Sequence, residues 1–118
     1  AAFQPLPGMG ELLEALRARK IPLARLANQG KEFDMYMRIK YDFIQIFRTM
    51  VSSWQAGAPM PDPEPFGMLL AQLKVPAFGC LFISPRAAHL DGAKTAGMDT
   101  HPFRNAAELE SSLRARGV

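Results

Sequence analysis

The residues best placed to do chemistry follow one short apolar run. Residues 80–84, CLFIS, are rich in β-formers and bounded by Gly79 and Pro85, which predicts a strand buried on both faces. Residues 86–96 predict a helix, with Ala87, Leu90, Ala93 and Lys94 on one stripe and Gly97 where a left-handed cap is wanted. In an open α/β sheet the ligand lies beyond the carboxyl ends of the strands. That place holds Ser84, Pro85 and the loop to His89. His89 is a metal ligand by type, but no second ligand of suitable spacing accompanies it. His101 lies near the last predicted strand, and both histidines read as surface or satisfied side chains. Asp34 and Asp42 fall in predicted helices, Asp62 in a loop and Asp91 along the helix after the site, so no aspartate ends a strand. No nucleophile–base pair, glycine-rich phosphate loop or zinc cluster is present.

The elements that would position these residues come from a chain of 118 residues, enough for one domain with a modest core. It is 48% hydrophobic and 21% charged, an ordinary globular composition. The net charge of +3 and a pI of 9.4 raise the question of nucleic acid. Yet the basic residues are scattered among acids, as at Arg17, Arg19, Arg114 and Arg116, which reads as solvated helix faces. No run of 18 apolar residues predicts a membrane span, and no charged-then-apolar leader is visible. The single cysteine, Cys80, cannot form an internal disulfide and reads as an inert core thiol of an intracellular, reducing compartment.

In order, residues 9–20 predict a helix striped by Leu12, Leu13 and Leu16, and residues 21–27 a strand with Pro22 near its start. After the turn at residues 28–30, residues 31–38 and 42–47 read as helical, with Phe33, Met37, Phe43 and Phe47 as packing mass. Residues 49–53 are β-prone. Residues 54–65 carry four prolines and read as a loop, followed by a helix over 64–73 that buries Phe66, Leu69, Leu70 and Leu73. Residues 99–103 predict a last strand. Asn105 with Glu108 three residues on predicts the cap of a closing helix over 106–116. The alternation implies a parallel sheet flanked by helices.

Four stretches in this order resemble the haloacid dehalogenase-like (HAD) superfamily. They are LPGMGELLEALRARKIPLARLANQ, SSWQAGAPMPDPEPFGMLLAQLKV, CLFISPRAAHLDGAKTAGM and HPFRNAAELESSLRARGV. The resemblance implies an α/β, Rossmann-like core over residues 1–118, a single domain truncated at its N-terminus. In that family an aspartate on a first strand is the nucleophile, with a second aspartate as acid/base. A Ser or Thr after the second strand and a Lys from the third motif stabilise the transferring group. Acids after the fourth strand hold Mg²⁺.

The sequence departs from this pattern at each motif. The first strand with its paired aspartates has no counterpart. Ala27 stands at the Ser/Thr position, and Asn28 beside it keeps the common residue. Met60, in MPDP, replaces the lysine of KPDP; Ser84 and Pro85 replace the acids, and His89 the asparagine that follows. The resemblance therefore implies a pseudoenzyme, with no catalytic residue and no cofactor; Mg²⁺ would belong only to an active site. The favoured role is a structural or interaction subunit that meets a protein partner or a second copy, with no nucleic acid and no membrane insertion. The alternatives are a split or degenerate hydrolase and an apolar-pocket binder of small molecules. The family's first strand lies between its second and fourth. The strands over 21–27 and 80–84 must therefore pair directly or accept a strand from elsewhere, since an unfilled gap leaves ladder groups unsatisfied. Arg25, mid-strand, either snorkels to the rim or marks a partner-facing environment.

Overall fold

The structure, a computed structural model, describes residues 9–40 and 47–117. Leucines at helical spacing, with Glu11 in the first turn and Arg17 in the last, form α1 (Met9–Ala18). Lys20, at φ 62°, turns the chain out of this helix. Pro22 has no N–H to give a ladder, and β1 is confined to Ala24–Ala27, three residues later than the sequence suggests. There follow α2 (Lys31–Lys40), β2 (Thr49–Ser52) and a four-residue helix, α3 (Ser53–Ala56), inside the stretch expected to be loop. The Ser52 amide donates to Gln55 Oε1 at 2.9 Å, which starts α3, and Gly57 at φ 79° ends it. Prolines in its first turn and Lys74 in a left-handed cap bound α4 (Pro63–Leu73). A 3-10 turn at Ala77–Gly79 leads into β3 (Leu81–Ser84), α5 (Ala87–Thr95), β4 (Asp99–Pro102) and α6 (Ala106–Ala115). Gly97 sits at φ 94° after α5, and Asn105 Oδ1 accepts from the Glu108 amide at 2.8 Å, as the sequence predicts. The predicted helical piece over 42–47 lies outside the described residues except Phe47, which is not helical.

The strands are parallel, but they form two two-stranded sheets rather than one continuous sheet: β1 with β2, and β3 with β4. Among the described residues no strand joins β1 to β3. Two cores bracket the strands. Phe66, Leu69 and Leu73 of α4 and Ala93 of α5 pack with Val51, Met60 and Met98, against which Ala24, Leu26 and Phe82 rest. Leu16 of α1 and Leu109 and Leu113 of α6 form the other, with Leu23, Leu81 and Ile83. Successive side chains of β3 thus enter opposite cores, as a strand covered on both faces requires, and on β1 Ala24 and Leu26 face the first core. The sequence stripe on α5 is corrected: Leu90 and Ala93 are buried, but Ala87 and Lys94 are exposed. On α2 only Met37 and Asp34 are buried, and Phe33 is half exposed. The radius of gyration, 13.8 Å, is close to the roughly 13.5 Å of a compact chain this long.

Candidate functional site

Ala27 ends β1 with a methyl group, so the chain offers no side-chain donor there. Asn28 turns outward instead. Its Nδ2 donates to Met60 O at 3.1 Å, and its Oδ1 accepts from the Met60 amide at 2.8 Å. This tie brings the loop before α4 to the end of β1. It also fixes Met60 so that its side chain enters the core beside Phe66 and Leu69. Asp62 is exposed and caps α4 by position.

At the end of β3, Ser84 is buried and its Oγ accepts from the Arg86 amide at 3.1 Å. That bond closes the turn into α5. Pro85 and Arg86 are exposed and His89 is half-buried. Burial, and then the charge of Arg86, hold the His89 imidazole below its usual range. These residues do not fit Mg²⁺, which takes hard oxygen ligands. A hydroxyl engaged by an amide, a proline and an imidazole beside a guanidinium provide no carboxylate. Among the described residues no three His, Cys, Asp or Glu side chains cluster as a metal site would need.

Met60, Ser84, Pro85 and His89 line one cavity of about 720 Å³ between β1 and β3, whereas Ala27 and Asn28 do not line it. Arg25 lies on its wall, half-buried. Burial lowers the affinity of its guanidinium for the proton, Asp34 opposes that, and Arg38 adds to it. His101 is buried on β4, and its Nε2 has no hydrogen-bond partner among the described residues, which corrects the reading of a surface or satisfied side chain.

A polar cluster at the ends of β1 and β2 escapes the sequence reading. Asp34, 1% exposed, accepts from Trp54 Nε1 at 2.7 Å and from Arg38 Nε at 3.0 Å. Arg38 Nη2 also donates to Gln55 Oε1 at 3.0 Å. The Gln29 amide donates to Ser53 Oγ at 2.9 Å, and that hydroxyl donates back to Gln29 O at 3.1 Å. The i, i+4 spacing of Asp34 and Arg38 was the available signal. The cluster joins α2 to the β2–α3 turn, and among the described residues no acid lines the cavity.

A family model described as haloacid dehalogenase-like hydrolase matches residues 1–102. The chain belongs to this family. Among solved structures, a HAD-superfamily hydrolase from Ehrlichia chaffeensis is similar at a TM-score of 0.80 and 21% identity, over 98% of this chain and 60% of the other. A hydrolase from Streptococcus pneumoniae TIGR4 is similar at 0.76 and 20%, over 92% and 57%. A putative β-phosphoglucomutase from Thermotoga maritima is similar at 0.71 and 24%, over 89% and 51%. The HAD-like chain thus spans no more than three fifths of the length of these structures, and the likeness is one of fold. No curated protein matches it.

Proposed function

We propose that this HAD-like chain is non-catalytic and serves as a structural or interaction subunit of a protein assembly. The observation that supports this most is the end of β3. There the Ser84 hydroxyl is engaged by the Arg86 amide, and Pro85 beside it has no side-chain ligand. The family's chemistry, carried here by resemblance, needs carboxylates at that place. Met60 adds to the reading, because its apolar side chain is sequestered in the core where the resemblance places a lysine. Aspartates delivered by another chain would leave both gaps as they are. The exposed Phe33, Tyr36 and Ile39 of α2 give a partner apolar surface to cover.

The test is hydrolysis of p-nitrophenyl phosphate by the purified chain with Mg²⁺. The expected result is no turnover above a heat-denatured control. Mg²⁺-dependent turnover that Ser84→Ala abolishes would overturn the non-catalytic reading. Light scattering and cross-linking in extracts test the interaction role, and a monomer with no cross-linked partner would remove it.

A further inference from the structure

A surface helix ordinarily turns its charges to solvent and its apolar stripe to the core, and α2 does the reverse. Its inward stripe, Asp34, Met37 and Arg38, carries the polar cluster described above. Its outward stripe has the spacing i, i+3, i+4, i+7, i+8 and reads Glu32, Met35, Tyr36, Ile39 and Lys40, with Phe33 at its margin. All six of these side chains are exposed, Ile39 at 85% and Tyr36 at 52%. Four of the seven large apolar side chains exposed among the described residues lie on this one helix, and a fifth, Trp54, is bonded to its Asp34. Apolar side chains gathered on one face, rather than scattered singly, mark a surface that another molecule covers.

The charges on the stripe select the occupant. Glu32 stands in the first turn of α2 and Lys40 in the last, each four residues from Tyr36. The Lys40 amine lies over the Tyr36 ring, 5.5 Å from its centroid, which keeps it on this face. Half a turn about an axis through Tyr36, perpendicular to the helix, exchanges the two ends. Glu32 then faces Lys40 of the other copy, and Phe33 faces Ile39. A second α2 laid antiparallel therefore meets opposite charge at both ends and apolar side chains between them. Laid parallel, it would set glutamate against glutamate and lysine against lysine. Antiparallel helices also place opposite dipole ends side by side. Of the other cations of α2, Lys31 lies over the Trp54 ring at 5.8 Å and Arg38 is held by Asp34, so neither puts an unmatched charge in the middle of the stripe.

We propose that the outward face of α2 docks on the same face of a second copy of this chain, antiparallel, with the two-fold axis at Tyr36. This rests on the interaction reading above and deepens it by naming the partner. The contact helix has 10 residues, a length of about 15 Å. The interface is therefore of the small class that gives weak, reversible dimers.

Sedimentation equilibrium of the full chain from about 10 μM to about 1 mM reads the dimer. Ile39→Ser weakens it by about tenfold or more, because each dimer loses the contact twice. Glu32→Lys and Lys40→Glu each set like charges together at both ends, and each weakens the dimer by about tenfold, less at high salt than at low. An equimolar mixture of these two charge variants recovers the affinity of the unaltered chain. One chain then carries two lysines on the stripe and the other two glutamates, so both pairs are restored. All three positions are exposed, and circular dichroism checks that the variants fold.

A chain that stays monomeric throughout, a dimer that Ile39→Ser leaves intact, or charge variants that do not rescue each other overturn the inference. Protein from its natural source that is monomeric at the same concentrations, with α2 covered by other parts of its own chain, overturns it too. A monomer that cross-links to a different protein in extracts removes this inference and leaves the interaction reading. Dimers with the expected variant behaviour and Mg²⁺-dependent turnover remove the non-catalytic reading and leave this one.

Discussion

Asn28 and Met60 hold each other by two reciprocal hydrogen bonds, at 3.1 and 2.8 Å, between one amide side chain and one peptide unit. A side chain thus does what a turn of backbone would otherwise do, fixing the loop before α4 against the end of β1. Asn28→Ala removes both bonds and lowers the unfolding free energy by about 1–2 kcal/mol. Asn28→Asp keeps the acceptor, loses the donor and faces Met60 O with a carboxylate, so it is no less destabilising. Urea unfolding of the three proteins checks the order.

Asp34 gives the fold an acid limit. Burial alone would raise its carboxyl, but the bonds from Trp54 and Arg38 outweigh burial and hold it below the ordinary value of 3.8. The unfolded chain therefore takes up this proton first. The stabilisation is complete above the ordinary value and is lost as pH falls through the lower, folded one. Asp34→Asn flattens this part of the stability–pH curve. Asp34→Ala, which leaves the Arg38 and Trp54 donors behind, costs about 3 kcal/mol. Unfolding curves from about pH 6 to pH 2 measure both.

Gly92 marks the closest approach of α5 to the Met60 loop. A Cβ there would stand 2.7 Å from Pro61 O and 2.9 Å from a ring carbon of Phe66. The obstacle is backbone and a core ring, so overpacking wins over the roughly 1 kcal/mol of helix propensity that alanine brings. Gly92→Ala destabilises by about 1–3 kcal/mol. On α4, Gly67 has open space for a Cβ, and Gly67→Ala stabilises by up to about 1 kcal/mol. Thermal unfolding of the pair gives opposite signs.

His89 titrates below its usual value of 6.5 because of burial and, secondarily, Arg86. Arg86→Gln removes the second cause, so the midpoint rises but stays below 6.5. The folded state holds this proton less tightly than the unfolded chain, so the group's contribution to stability falls as pH drops from the ordinary value through the folded one. Histidine ring NMR shifts follow the midpoint directly.

Elements bounded by local chemistry are those the sequence declares. Asn105 with Glu108, Gly97, and the prolines before Phe66 each act within a turn of their own position, and each was legible. The start of β1 was not, because Ile21 and Leu23 are as β-prone as Leu26 and only the partner strand decides where pairing begins. Nor was α3, where Gln55 completes a cap in a stretch read as loop from its prolines. At the site, Ala27, Met60, Ser84 and Pro85 could be named from the motifs they replace. That Met60 and Ser84 share a cavity which Ala27 does not line is a matter of packing between distant segments. The helix that carries Asp34 is legible from local spacing, but the carboxylate's bond to Trp54, twenty positions away, is not.

Phe66 is fully buried and meets Phe82 edge-on, with ring centroids 5.4 Å apart and planes at 78°. One ring belongs to α4, which also packs on β1 and β2, and the other to β3. This contact joins two sheets whose ladders do not connect among the described residues. Peptide bonding stiffens each sheet internally, and apolar adhesion, which has no preferred direction, holds one to the other. Among the described residues the two halves therefore meet through side chains rather than through shared peptide bonding.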